Sequence, residues 1–165
     1  MDILEIISTR RSVREYKKER PSDGDIKSIL EAGHWAPSGL NNQPWRFIVI
    51  DDNDRKEGLA RFTKYDDMII RAPVSIVILF ATTDSYDRDK DMMAMGACIQ
   101  NMMLEAHSLD IGSCWLGEIT NRKEDAAMYL GLDNDLEIVA VLTFGYSNEP
   151  ITEGWRKPLK DMIIL

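Results

Sequence analysis

The sequence predicts one α+β domain in which helices flank a sheet. Helical patterns come first in the chain, and the strand-like runs that follow are separated by helical segments of unequal length, which is typical of this class. The 165 residues are 44% hydrophobic, enough for one substantial core, so residues 1–165 are expected to form a single domain. Periodicity does not fix the order of the strands.

The first half of the chain contains three predicted helices and two predicted strands. Apolar residues recur at helical spacing in residues 2–9 and 25–35, and residues 54–64 are also compatible with a helix. Residues 46–51 and 74–81 are rich in β-branched side chains. A polar cluster follows the first of these runs and a proline precedes the second, so both are predicted strands.

A long helix is predicted at the centre of the chain, over residues 89–109. Its Gly96 and Ala97 would allow another backbone to approach closely, and its methionines offer adaptable packing. Composition alone fits the core of a monomer and the interface of a dimer equally well.

The last part of the chain is predicted to contain strands at 114–116 and 137–145 and a helix at 122–130. The remaining tail, residues 146–165, ends in the apolar run 162–165. Because an apolar terminus is costly to leave in water, this run is expected to pack against other protein surface.

Charge and composition argue against several functions. The chain has 28 acidic and 20 basic residues and a net charge of -8, which disfavours nucleic acid and an acidic membrane as partners. No secretory signal is visible, so a cytoplasmic location is expected. The histidines and cysteines have no metal-ligand spacing, so no metal site is predicted, and Cys98 is expected to be a packed core thiol.

The segment RRSVR at residues 10–14 has the side chains for binding a phosphate. Its three guanidinium groups and one hydroxyl all donate hydrogen bonds to anions. If this segment is extended, Arg10, Ser12 and Arg14 point to one side and Arg11 to the other. Taken alone, the segment is more simply explained as a solvated basic turn.

Two further segments suit a flat aromatic ligand. Residues 36–45 (APSGLNNQPW) predict a rigid loop with many donors and acceptors, able to contact the edge of a heterocycle. Residues 112–117 (GSCWLG) place small residues around an apolar pair, which lets backbone amides approach an aromatic ring. An ordinary loop and a buried strand end are the alternatives.

These three motifs, followed by RKPL at residues 156–159, closely resemble in their order the nitroreductase and NADH oxidase family. The resemblance implies a mixed, mostly antiparallel central sheet flanked by helices and an intertwined homodimer built on the long helix. It implies FMN at the subunit interface, NADH or NADPH as electron donor, and a small-molecule electron acceptor such as a nitroaromatic or a quinone. The apolar tail would reach across the partner subunit.

The resemblance also assigns residues to the phosphate end of the cofactor. Arg10, Ser12 and Arg156 would hold the ribityl phosphate, and Arg14 matches the basic position near the flavin N1 and C2 carbonyl. Two more residues of the first motif are expected to contact the cofactor through their backbone: Arg11 and Val13.

Other residues are assigned to the flavin ring. Leu116 and Gly117 would approach it near N5. The other subunit would contribute four loop residues: Pro37, Ser38, Gly39 and Asn41. No catalytic side chain is assigned, because the flavin itself carries the redox chemistry.

The chain departs from longer family members between residues 81 and 89, which lack the helical excursion that covers the substrate pocket. A shorter lid implies a more open site. Tyr65 and Met68 stand where some longer members have an asparagine and a basic residue.

Two alternatives to an FMN-dependent NAD(P)H oxidoreductase stay open. One is a specialised flavoenzyme of the same fold, such as a reductive dehalogenase or a flavin-dependent oxidase, and the other is a non-catalytic flavin-binding protein.

Overall fold

The computed structural model describes residues 2–150 and 152–164. Within these residues four strands form one antiparallel sheet: β1 (Trp45–Ile50), β2 (Val74–Ala81), β3 (Gly112–Leu116) and β4 (Leu136–Gly145). Their order in the sheet is β1-β2-β4-β3. An isolated parallel bridge between Ser12 and Ser113 extends this sheet at its β3 edge. The predicted α+β class and all four predicted strands are confirmed.

In the part of the chain that the structure describes, six α-helices surround the sheet: α1 (Ile3–Thr9), α2 (Asp23–His34), α3 (Asn53–Ala60), α4 (Asp66–Arg71), α5 (Arg88–Ser108) and α6 (Lys123–Leu130). The prediction of one helix over 54–64 was wrong at its end, and α4 was missed. Glu118 accepts hydrogen bonds from the Thr63 hydroxyl and the Lys64 amide, which stabilises a turn there. Acidic residues then begin α4, and Pro73 prevents its continuation.

The sheet separates two apolar cores, and every residue of β2 is buried. One core lies between the sheet and α2 and α5, and the other lies under α3, α4 and α6. Gly33 lets α2 pack closely on α5, because a Cβ there would lie 2.6 Å from Met102 Cγ. Cys98 is fully buried on α5, and burial raises its pKa to about 12, which confirms the packed thiol.

Several large apolar side chains are exposed to solvent on the surface of the single chain. Helix α1 buries none of its residues, and Ile3 and Leu4 are 78% and 71% exposed. Met93 on α5 is 74% exposed, and at the end of the tail Ile164 is 97% exposed. The tail therefore does not pack on its own chain at this end; Leu165 lies outside the described residues.

The described part of the chain contains no helix whose length and apolarity would let it cross a membrane. Within residues 2–150 and 152–164, no group of three or more His, Cys, Asp and Glu side chains is arranged to hold a metal ion.

Glu137 joins β4 to two helices and makes stability depend on pH. Its carboxylate accepts hydrogen bonds from Arg88 Nη1 and Nη2 at 2.8 Å and pairs with Lys123. Chiefly through Arg88, these bonds lower the pKa of Glu137 to about 2 although burial opposes them. Because the folded-state pKa lies below the usual value, this stabilisation is complete at neutral pH and is lost as pH falls from about 4.5 to about 2.

We therefore expect Glu137→Gln to lower the free energy of unfolding at pH 7 by roughly 1–2 kcal/mol. The difference from wild type should shrink between pH 4.5 and 2, as measured by urea unfolding across this range. Glu57→Gln, an exposed change on α3 outside its first turn, is the control and should leave stability unchanged. A constant difference down to pH 2 would contradict the assignment.

Candidate active site

The arginine-rich segment leaves α1 at Arg10 and runs beside β3. Val13 donates its backbone N–H to the Ser113 carbonyl at 2.9 Å, next to the Ser12–Ser113 bridge. Gly112 makes this approach possible, because a Cβ at that position would lie 2.7 Å from Val13 Cγ2. The segment thus forms a short additional edge of the sheet, which agrees with the extended backbone considered for it in the sequence analysis.

A buried tyrosine and a carboxylate fix the backbone of this segment. Tyr16 donates its hydroxyl to the Val13 carbonyl at 2.7 Å and is also hydrogen-bonded to the Thr143 hydroxyl at 2.8 Å. Burial raises the pKa of Tyr16 above its usual value, so the phenol stays neutral. The Arg14 amide donates to Glu149 Oε1, which ties the segment to the chain after β4.

The guanidinium of Arg10 is partly buried without compensation. Its Nη1 atom is buried and has no hydrogen-bond partner among the described residues. Burial first, then the nearby positive charges of Arg156 and Arg11, lower the pKa of Arg10. No carboxylate of the described residues forms an ion pair with any of these three arginines. Together they form a cluster of positive charge that an anion would stabilise.

Arg11 has a different role from Arg10, because its guanidinium holds the chain. Nη1 donates to the carbonyls of Ser8 and Arg10, both at 2.8 Å, and Nε donates to the Thr152 carbonyl at 3.1 Å. The tail passes so close that a Cβ at Gly154 would lie 2.4 Å from Arg11 Cζ. The contacts of Arg11 with the tail hold the segment that brings Arg156 near Arg10.

The loop at residues 37–43 has a strained backbone. Leu40, Asn41 and Gln43 all have positive φ, at 54°, 58° and 47°, a backbone region that residues other than glycine rarely adopt. The Ser38 hydroxyl accepts the Gln43 amide at 3.0 Å and helps to hold this shape. Three of the predicted site residues, Pro37, Ser38 and Gly39, line one side of a cleft of about 280 Å³ against α5.

Within one chain, the loop and the arginine cluster lie at opposite ends of α5. The loop borders Ala94, near the start of this helix. The arginine segment lies beside its end, where Thr9 Oγ1 is 2.9 Å from His107 Nε2. At 1.5 Å per residue, Ala94 and His107 are about 20 Å apart along the helix axis. One chain therefore does not bring these two sets of predicted residues together.

The end of β3 adjoins the arginine segment and presents a free edge. Leu116, predicted as a flavin contact, is only 3% exposed, and its side chain packs in the core under α6. Backbone groups of a strand alternate in direction, so those of Trp115 point to the same side as those of Ser113, which bonds to the arginine segment. By the same alternation, the backbone groups of Leu116 point toward its partner Val141 on β4. The backbone groups that face the free edge are therefore those of Trp115, and Gly117 beyond them is exposed.

The sequence model described as the Nitroreductase family matches residues 7–65 and 53–146. The chain belongs to the nitroreductase family. An Archaeoglobus fulgidus protein, provisionally named NADH dehydrogenase/NAD(P)H nitroreductase, is 32% identical over 151 residues, which cover 90% of this chain and 87% of that protein. Among solved structures, a provisionally assigned nitroreductase from Desulfovibrio desulfuricans, crystallised in complex with FMN, is 40% identical, with a TM-score of 0.96 over 100% of this chain and 96% of that one. A provisionally assigned NADH oxidase from Clostridium acetobutylicum is 33% identical, with a TM-score of 0.89 and coverage of 96% and 98%.

In this nitroreductase-family chain, sequence reasoning missed the residues that support the predicted contacts. Tyr16 and Glu149 hold the arginine segment, and Asp91 holds the strained loop through Asn42. Asn42 was part of a quoted motif, but no pattern in the sequence pointed to Glu149 or Asp91, since each acts on residues that are distant in the chain.

Proposed function

We propose that this chain is an FMN-dependent NAD(P)H oxidoreductase that reduces a nitroaromatic, a quinone or a similar small acceptor. The observation that carries the proposal is the buried Arg10 Nη1 atom, which lies near Arg156 and has neither a hydrogen-bond partner nor an ion pair with a carboxylate among the described residues. A phosphate dianion would supply the missing acceptor and compensate the charge. The FMN complex of the 40% identical neighbour supports the same choice of ligand.

The chain's own residues would bind and orient the cofactor. Arg10, Ser12 and Arg156 would hold the phosphate, and Arg14 would place positive charge where reduction develops negative charge on the pyrimidine side of the ring. The exposed backbone at Trp115 and Gly117 would face the ring edge. When bound, FMN supplies hydride acceptance from NAD(P)H and two-electron transfer to the acceptor.

The complete site would need two chains. The loop with Pro37, Ser38, Gly39 and Asn41 would contact the flavin that the other subunit's arginines hold, because within one chain the two sets lie beside positions of α5 that are about 20 Å apart along the helix axis. The exposed apolar residues of α1, α5 and the tail would be covered in such a homodimer. A cytoplasmic location stays a prediction from the sequence.

A short lid favours a broad range of small acceptors over the specialised flavoenzymes. Between β2 and α5 the chain forms only one short 3₁₀ turn, Thr82–Asp84. Such a connection supplies few side chains to enclose one particular substrate.

The decisive experiment is anaerobic reduction of the purified protein. We expect a yellow protein whose flavin absorbance is bleached by NADH or NADPH and restored by a quinone or a nitroaromatic. A yellow protein that neither nucleotide bleaches would instead be a non-catalytic flavin-binding protein. A colourless protein that does not take up added FMN would contradict the whole proposal.

The contact between Gly154 and Arg11 gives a test of the phosphate site away from its ligands. In Gly154→Ala the added methyl group would collide with the Arg11 guanidinium, which three carbonyls hold in place. The tail would have to move and take Arg156 with it, so we expect FMN to bind roughly 3- to 10-fold more weakly, about 1 kcal/mol. Fluorescence titration of FMN measures this.

The matched control is Gly24→Ala, because a Cβ there would make only an ordinary contact, 3.5 Å from Ser22 Oγ. FMN affinity should not change in this control. Equal affinities for wild type and Gly154→Ala would show that the tail does not place Arg156.

A further inference from the structure

The first turn of α5 contains a carboxylate that is entirely buried. Asp91 has no exposed surface, and its two oxygens accept four hydrogen bonds. Asn42 Nδ2 donates to Oδ1 at 2.8 Å, while the Ser85 hydroxyl donates to Oδ2 at 2.6 Å. The amides of Tyr86 and Asp87 also donate to Oδ2, at 3.2 and 3.3 Å.

These bonds join two loops that are distant in the chain. Asn42 belongs to the strained loop at 37–43, whereas residues 85–87 belong to the short connection 82–87 between β2 and α5. Burial alone would raise the pKa of Asp91, but the bonds from Ser85, Asn42 and the two amides lower it, so the carboxylate is charged at neutral pH. A buried charge that is fully hydrogen-bonded holds its partners firmly.

The two loops also pack directly against each other. Asn42 Nδ2 donates to the Asp84 carbonyl at 2.9 Å, in addition to its bond with Asp91. The Tyr86 ring lies so close to Gly39 that a Cβ there would be 2.3 Å from Tyr86 Oη. The loop with three positive φ values is therefore held through its own Asn42 and packs against Tyr86, and Asp91 bonds to both residues.

We propose that Asp91 is a positioning residue that holds the loop at 37–43 in its strained, flavin-facing shape before the cofactor binds. This inference rests on the proposed function, because it assumes that the loop contacts FMN. A loop that is already ordered loses less conformational entropy on binding, so a cofactor binds it more tightly.

Asp91→Asn keeps the shape of the side chain but removes its charge. It also replaces one acceptor oxygen by an NH₂ group, which faces groups that donate hydrogen bonds to Asp91 in the wild type. In the FMN-free protein we expect hydrogen exchange of the amides at 38–43 to become about tenfold faster. FMN should bind about tenfold more weakly, the size expected from losing one or two bonds to a buried charge. Saturating FMN should restore slow exchange in the loop, while amides in the middle of α5 should keep their wild-type rates throughout.

The matched control is Asp89→Asn, which removes the same charge from an exposed position in the same helical turn. Asn42→Ala removes the loop end of the bond and leaves the other partners of Asp91 in place, so it serves as the second variant if Asp91→Asn does not fold. In the double variant the two effects should add to less than their sum, because the bond between Asn42 and Asp91 is already lost in each single variant.

Three results would overturn the positioning role: wild-type loop exchange and FMN affinity in both single variants, equal acceleration in the middle of α5, or simple addition of the two effects. If the wild type binds no FMN, the proposed function fails on its own and the positioning role for a flavin fails with it. The exchange rates would then show separately whether Asp91 orders the loop.

Discussion

Replacing Arg10 or Arg156 by alanine should weaken FMN binding by about 10- to 100-fold. Each change removes charge-assisted hydrogen bonds to a phosphate dianion, which contribute about 1.5–3 kcal/mol. Arg10 should show the larger loss, because its guanidinium is partly buried, whereas Arg156 lies on an exposed tail.

Titration of FMN into the FMN-free variants, followed by flavin fluorescence, measures the dissociation constants. Arg55→Ala is a suitable control, since it removes one exposed guanidinium from α3, outside the site. Riboflavin, which has no phosphate, should bind wild type and both variants equally. Unchanged FMN affinity in both arginine variants would refute the phosphate assignment.

In the FMN-free protein, Arg10→Ala is expected to raise the free energy of unfolding. Because burial and two neighbouring arginines oppose its charge, Arg10 is a cost to the folded state when no anion is present. The same position thus reduces stability and provides the binding site, as expected where local structure serves function.

The elements with strong local patterns were predictable from the sequence. The eight residues of β2 are all apolar or small. In α5, apolar residues at helical spacing, such as Met95, Ile99 and Met102, predict its buried face. Helix α4 was not predictable in this way, because it is short and its start depends on Glu118, which follows β3 and stabilises the preceding turn from a distance.

The candidate site was predictable only as a set of motifs. Residues 10–14 and 37–43 could be named from their side chains, but their separation along α5 follows from tertiary packing alone. The division of work between Arg10 and Arg11 also needed the structure. Their side chains are identical, and the contacts of Arg11 with Thr152 and Gly154 show which of them holds the tail.

Subunit association and FMN binding are expected to be one linked event. If the loop of one subunit and the arginines of the other share a flavin, FMN binds only the assembled dimer and must stabilise it. At a free FMN concentration 100 times the dissociation constant, this amounts to about 2.7 kcal/mol for each site. The dimer should therefore persist to much lower protein concentration with FMN than without it.

The tail should contribute to the same equilibrium. Met162, Ile163 and Ile164 are 56%, 55% and 97% exposed on a single chain, and burying such a side chain contributes about 1.5–3 kcal/mol. Truncation after Lys160 should thus raise the dimer dissociation constant at least roughly 100-fold and weaken FMN binding with it. Met128→Ser, which removes an 81% exposed methionine from α6, is the control and should do neither.

Sedimentation of FMN-free and FMN-loaded protein over a dilution series tests both statements together. The shared site requires that every change in association appears again in flavin affinity, because the two equilibria form one thermodynamic cycle. A folded monomer that binds FMN as tightly as the dimer would break this cycle and refute the shared site, even if NAD(P)H still bleached its flavin. Dissociation that FMN leaves unchanged would lead to the same conclusion, since the loop at 37–43 would then make no contact with the flavin held by the partner.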